Sequence, residues 1–165
     1  MAAIESGKQA PAFALPLMSG GNFSLAEALG RGPVVLAFFK ISCPVCQFAF
    51  PYLERLHQAA KGKNVTIVGV SQNGKEDTAA FAKQYGITFP IALDNPRNYP
   101  VSNAYGLTNV PTVFYLAKDG EIEVSSVGWS KGDLEQIARK IADVTHLAKI
   151  EVIHAGEDVP AFRAG

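Results

Sequence analysis

Cys43 and Cys46 are the two cysteines of the chain, separated by Pro44 and Val45. Thiols at that spacing suit two chemistries: closing a disulfide through thiol–disulfide exchange, or supplying half of a metal site. Zinc requires a second ligand pair, and His57, His146 and His154 are scattered without ligand spacing. Gln47 stands where covalent haem attachment requires histidine. A redox dithiol is the reading that remains. A copper(I) chaperone using both thiolates is the alternative from a different functional class.

The elements around the pair support exchange chemistry. Pro33 to Phe39 is apolar without alternation, the pattern of a strand buried on both faces of a sheet. From Val45 onward, Phe48, Ala49, Tyr52, Leu53, Leu56 and Ala60 recur at three- and four-residue steps, so a helix opens at or just after Cys43. Cys43 then takes the exposed cap position and Pro44 the first helical position, where its missing N–H costs nothing. A helix N-terminus favours a thiolate through its free N–H groups and dipole. Cys-X-X-Cys thiols in such places ionise at roughly pH 3.5–7.5, against about 8.5 for free cysteine. Cys43 is the expected nucleophile and Cys46, one turn along, the expected resolving thiol. Pro51 falls inside the same helix and is expected to kink it.

Composition narrows the function classes. The 165 residues are 48% hydrophobic and 18% charged, which suits one globular domain with a full core. Fifteen Lys and Arg balance fifteen Asp and Glu, so no electrostatic case exists for nucleic acid or an acidic membrane. The opening ten residues lack a basic region followed by an apolar one, and no stretch is long and apolar enough to span a bilayer. The resulting expectation is a cytoplasmic protein in which a close cysteine pair is redox-active rather than structural.

The remaining elements follow in order. Ala12 to Leu17 and Phe23 to Leu25 read as a hairpin about Ser19-Gly20-Gly21-Asn22. Ser24 and Glu27 form a capping pattern for a short helix to Leu29. Asn64 to Val70 is a second buried strand, Glu76 to Tyr85 a helix stopped by Gly86, Phe89 to Leu93 a short strand, and Tyr99 to Tyr105 a short helix. Asp94-Asn95-Pro96-Arg97 reads as a turn. Leu107 to Leu116 and Ile122 to Val127, joined by Asp119-Gly120, form an antiparallel pair. Ser130 caps a final helix from Asp133 to about Leu147, and Lys149 to His154 is a candidate strand before a polar tail. The class is α/β, a central mixed sheet with helices on both faces.

With these residues in place the chain resembles the thioredoxin fold, through Cys43-Pro44-Val45-Cys46 after an apolar strand, Pro51 in the next helix, Val110-Pro111-Thr112 opening a strand, and the closing hairpin and helix. Ala10-Pro11-Ala12-Phe13, Phe50-Pro51-Tyr52, Val68-Gly69-Val70-Ser71 and the block from Phe81 to Tyr105 are similar to the redoxin branch, the TlpA-like thiol-disulfide oxidoreductases and their peroxiredoxin relatives. The resemblance spans roughly residues 7–145. It implies a three-layer sandwich with an N-terminal hairpin and one inserted strand-helix block, covering residues 1–148, with residues 149–165 as a strand and tail. It also implies a cis proline at Pro111 and a substrate rim formed by Pro44, Val45, Val110, Pro111 and Thr112.

Departures from the family are informative. Ala37 replaces the buried Asp of thioredoxin and Ala49 the Glu of many TlpA-like reductases, so both usual bases for the second thiol are missing. Ser42 replaces the Trp that commonly precedes the first cysteine. Lys40 and Leu36 stand where peroxiredoxins place Thr and Pro around the peroxidatic cysteine. Redoxin-like copper carriers add a spacer between the cysteines and a ligand histidine downstream, and neither is found in this sequence.

The resulting expectation is a dithiol-disulfide oxidoreductase working as a net reductase on protein or small-molecule disulfides. A thiol system re-reduces it, and no cofactor is needed. A two-cysteine peroxidase, with an antioxidant role, is the second reading. Lys40 is either a cation that modulates the thiolate or a strand-end lysine reaching solvent. Trp129 is either a rim aromatic or packing for the last helix. Asp94, Arg97 and Asn98 are explained by turn formation, and His57 is read as surface. Ile153 to Phe162 repeats the Ile, Gly, Pro, Ala and Phe spacing of Ile4 to Phe13, so the tail either imitates the leading strand and docks on a sheet edge, its own or a neighbour's, or is a flexible tail whose similarity is chance.

Overall fold

A computed structural model describes residues 2–165 of the protein. At its centre lies strand β3 (Val34–Phe39), every residue of which is buried. Its side chains alternate between two cores, as the pleat requires. Val35, Ala37 and Phe39 face one apolar cluster, and Val34, Leu36 and Phe38 face the other. That explains the unbroken apolar run: both faces are covered.

Strands β4 (Thr66–Ser71) and β5 (Ile91–Leu93) extend the sheet in parallel on one side of β3. On the other side, β6 (Thr112–Leu116) and β7 (Ile122–Val127) run antiparallel, giving the order β5-β4-β3-β6-β7. Helices α2 (Pro44–Ala59), α3 (Lys75–Tyr85) and α5 (Lys131–Thr145) bury Phe50, Leu53, Phe81, Ile137 and Ile141 in the first cluster. Helices α1 (Leu25–Arg31) and α4 (Pro100–Ala104) place Leu25, Ala28 and Val101 in the second, beneath the hairpin of β1 (Ala14–Pro16) and β2 (Asn22–Ser24). The expected three-layer α/β sandwich is the observed one.

Local chemistry sets the element ends. Ser24 Oγ accepts the Glu27 N–H at 3.3 Å, and Ser130 Oγ accepts the Asp133 N–H at 3.2 Å, so both expected N-caps form. Gly86 ends α3 in the left-handed conformation, with φ of 68°, where a Cβ would be strained. Pro51 lies inside α2 as expected.

Two expectations are corrected. Lys149 to His154 is not a strand but an irregular segment lying against helices, with Val152 buried in the first cluster. Its alternating apolar residues find a core, but the chain there is packed on helix surfaces rather than along a sheet edge. His57 is half-buried rather than a surface residue, its ring 6.0 Å from that of Phe89.

The segment after it docks on its own chain. Arg55 of α2 pairs with Glu157 through two hydrogen bonds, at 2.6 and 2.9 Å, and also donates to the Val152 carbonyl. Strand β9 (Phe162–Arg163) then pairs antiparallel with β8 (Trp129–Ser130).

Candidate active site

The C-terminal end of β3 delivers Lys40 to Ser42 into a tight loop, and α2 begins immediately beyond it. Cys43 is the N-cap residue in extended conformation, with φ of −85° and ψ of 114°, and Pro44 occupies the first helical turn. The Cys43 Sγ accepts the backbone N–H of Cys46 at 3.1 Å, the cap bond that serine or aspartate makes in other helices. A thiolate at that atom is met by an oriented N–H donor and the positive end of a sixteen-residue helix.

Neighbouring elements fix the loop. Asn73, just past the end of the parallel strand β4, accepts the Ile41 N–H on its Oδ1 at 2.9 Å. Gln47 donates from Nε2 to the Ile41 carbonyl at 2.9 Å. Neither residue was singled out from sequence. For Asn73 the signal was available, since ligand-facing loops of parallel strands gather at the strands' carboxyl ends.

Both thiols are free, and their environments differ. Cys43 is partly exposed beside exposed Pro44, whereas Cys46 is fully buried under it. Burial pushes the Cys46 thiol far above its ordinary range, and hydrogen bonding with Cys43 adds to this, while backbone hydrogen bonding at Lys40 acts the other way. Ala37 and Ala49, both buried, stand in the first cluster with Cys46 and offer no carboxylate.

Opposite the dithiol, the Val110–Pro111 peptide is cis, as the family resemblance implied. The Cys43 S–H donates to the Val110 carbonyl at 3.4 Å, which brings the two segments together across sixty-seven residues of sequence. Pro44, Val110 and Cys43 line one open pocket, shared with Lys40, Gln72 and Tyr99. Val45 is half-buried against the first cluster. Thr112 departs from the expected rim role: it is fully buried, and its Oγ1 donates to the Asn109 carbonyl at 2.8 Å, bracing the loop from inside. The Lys40 Nζ lies 5.6 Å from the centre of the Tyr99 ring, so its charge is spread over an aromatic face at the pocket wall.

Asp94 is more than a turn residue. It is 1% exposed, and its carboxylate accepts the N–H groups of Asn95, Val101 and Ser102 together with the Ser102 hydroxyl, at 2.8 to 3.2 Å. Gln72 in turn donates to the Ser102 Oγ at 3.0 Å, linking α4 to the pocket beside Cys43. Arg97 and Asn98 are exposed, as a turn requires. Trp129 is 3% exposed and packs on α2, its ring 4.9 Å from Phe48 and 5.1 Å from Tyr52. Among the described residues, no group of three or more His, Cys, Asp and Glu side chains gathers as a metal-ligand set. No helix among them is long and apolar enough to cross a membrane.

This geometry combines an accessible capped thiol, a buried second thiol and a facing cis-proline loop, on a chain that is similar to known proteins. Residues 6–125 match the AhpC/TSA family. Thiol-disulfide oxidoreductase ResA of Halalkalibacterium halodurans is 34% identical over 140 residues, which cover 84% of this chain and 76% of that protein. The protein of the same name from Geobacillus kaustophilus is 34% identical over 136 residues, covering 81% and 76%. The thioredoxin domain of a thiol-disulfide oxidoreductase from Bacteroides vulgatus has the same fold, with a TM-score of 0.74 at 24% identity over 84% of this chain and 98% of that one.

Proposed function

We propose, for a chain that belongs to the AhpC/TSA family and is a thiol-disulfide oxidoreductase, that Cys43 is the attacking thiol, Cys46 the resolving thiol and reduction of disulfides the net direction. The observation that carries this reading is the pairing of an accessible Cys43 Sγ, held at 3.1 Å by the Cys46 N–H, with a Cys46 side chain that solvent does not reach. A substrate disulfide can approach only the first.

The cycle balances on two electrons and two protons. The Cys43 thiolate attacks one sulfur of a substrate disulfide, forming a mixed disulfide and releasing the other substrate sulfur as thiolate, which takes up a proton. Cys46 then loses its proton and attacks the Cys43 Sγ, closing the intramolecular disulfide and releasing the second substrate thiol. The protein ends oxidised and the substrate reduced. A thiol donor reverses the process on the enzyme and resets it.

The reducing direction follows from the setting in which the thiols would be recycled. A cytoplasmic setting, where glutathione and thioredoxin systems keep thiols reduced, is the compartment this direction fits. The Val110 carbonyl, 3.4 Å from the Cys43 Sγ, is the group proposed to receive the substrate chain, with buried Pro111 fixing the loop behind it and Pro44 and Val45 opposite. The test is a pair of variants: Cys43→Ser abolishes turnover, and Cys46→Ser accumulates mixed disulfides. Equal activity of both variants and the native protein would refute the assignment.

A further inference from the structure

The segment from Pro160 to Gly165 crosses the face on which Cys43 opens. The Trp129 Nε1–H donates to the Pro160 carbonyl at 2.7 Å, and the Lys131 N–H donates to the Ala161 carbonyl at 3.0 Å. Phe162 and Arg163 add a strand beside Ser130 and Trp129. The Arg163 guanidinium lies 4.8 Å over the Phe48 ring, two residues beyond Cys46. Gly128 has φ of 78°, and a Cβ there would meet the Arg163 carbonyl at 2.5 Å. A Cβ on Gly165 would clash with the Val110 carbonyl, and Asn109 Nδ2 approaches the Gly165 carbonyl at 3.4 Å.

These contacts place an extended backbone between β8 and the cis-proline loop. Val110, against which Gly165 packs, also accepts the Cys43 S–H. Gly165 lines the same pocket as Cys43, Pro44 and Val110. Close backbone approach at both glycines shows a groove fitted to a chain in extended form. Such a groove takes a strand through main-chain hydrogen bonds.

We propose that residues 160–165 are an intramolecular occupant of the groove that receives polypeptide disulfides, so that a protein substrate binds only when its own extended segment displaces this one. The inference rests on the disulfide-exchange reading of the site. Small disulfides need only the opening above Cys43 and do not compete with the segment. The anchor between Arg55 and Glu157 lies upstream of the segment and helps to hold it against the groove. Competition then follows ordinary population arithmetic: a groove open for a tenth of the time lowers apparent affinity about tenfold.

Two variants test this in different ways. Deletion of residues 161–165 leaves the Pro160 carbonyl for Trp129, and Gly165→Val keeps the chain but puts a side chain against Val110. Single-turnover reduction by each pre-reduced protein is measured with insulin as polypeptide disulfide and with dithiodipyridine as small disulfide. Hydrogen exchange at the Lys131 amide of the full chain reports docking directly. The expected result is a protected Lys131 amide, insulin reduction accelerated severalfold to tenfold in both variants, and an unchanged dithiodipyridine rate. Free exchange at Lys131 in the full chain, or insulin rates unchanged or lowered in variants that melt with the native protein, would overturn it. Should destabilisation slow the deletion variant, the Gly165→Val variant and the exchange measurement decide. If the full chain reduces neither probe while Lys131 is protected, the oxidoreductase reading fails and the docked segment stands.

Discussion

Cys46 donates its backbone N–H to the Sγ of Cys43 at 3.1 Å while its own thiol is sealed in the core beneath. One residue therefore stabilises the attacking sulfur and waits, uncharged, to resolve the intermediate. The division is produced by a single helical turn: position N-cap is open to solvent, and position N3 points into the sheet.

The first consequence concerns pH. Burial holds the Cys46 thiol well above its ordinary range, so it binds a proton throughout neutral pH and reacts through a small thiolate fraction. Resolution of a preformed mixed disulfide on Cys43 is expected to accelerate about tenfold per pH unit between pH 6 and 9, because that fraction rises tenfold per unit below the pKa. Quenched-flow decay of the mixed disulfide checks this. Ala49→Glu, which supplies a carboxylate one turn beyond Cys46, is expected to speed resolution at neutral pH while lowering stability by about 2–4 kcal/mol for a charge placed in the core. A pH-independent native rate would show that proton removal does not limit the step.

Peroxide distinguishes the two redox readings. Leu36 is buried in the hairpin-side core, and Lys40 lies over Tyr99, so neither gives the hydroxyl or ring found at those places in peroxiredoxins. Hydrogen peroxide is expected to close the Cys43–Cys46 disulfide at the rate of an ordinary thiol, measured by acid quench and mass spectrometry. A rate orders of magnitude faster would make peroxide the substrate and backbone groups its activator.

Asp94 supports the pocket from below. Its carboxylate satisfies the first free N–H groups of α4, which carries Ser102, and the adjoining Tyr99 lines the wall beside Cys43. Asp94→Asn substitutes a donor for an acceptor among several N–H groups and is expected to cost about 2–4 kcal/mol. Thermal unfolding reads the loss. A melting temperature within a degree of the native value would show that α4 does not depend on this carboxylate.

Glu157 gives the docked segment an acid limit. The Arg55 guanidinium, with the His154 backbone N–H, holds its carboxylate down to about 2. A depressed carboxylate pKa contributes to docking above the ordinary value near 4.5 and loses that contribution as pH falls through about 2. Protection of the Lys131 amide is therefore expected to persist to pH 4 and to decline between pH 4 and 2, provided the domain itself stays folded by near-ultraviolet circular dichroism. Protection that survives to pH 2 would separate docking from the Arg55–Glu157 pair.

Much of this site is legible in the chain because its signals are local. An unbroken apolar run, a Cys-Pro pair and a helical repeat specify strand, cap and helix within about twenty residues. Long-range pairings are less visible. Nothing near Trp129 announces that its indole N–H will bond to Pro160, and Asp94 looks like any turn aspartate until Ser102 folds back onto it. The alternation of Ile150 and Val152 suggests a strand, yet a strand also needs a free partner edge, and the segment meets helix α2 instead. The repeat linking residues 153–162 to residues 4–13 leaves docking and chance similarity equally open, and the tail pairs with β8 rather than beside Glu121 and Ile122, where the leading segment lies. Nothing in that spacing specifies the face that Cys43 shares.

The most direct test of the central claim is the fate of Cys46→Ser after reaction with a polypeptide disulfide. The account predicts one covalent adduct, mapped by peptide mass spectrometry to Cys43, which persists until an external thiol is added, whereas native protein passes through it and ends with a Cys43–Cys46 disulfide. Release of substrate from Cys46→Ser at the native rate, or an adduct found on Cys46 in Cys43→Ser at comparable speed, would contradict the assignment of attacking and resolving thiols.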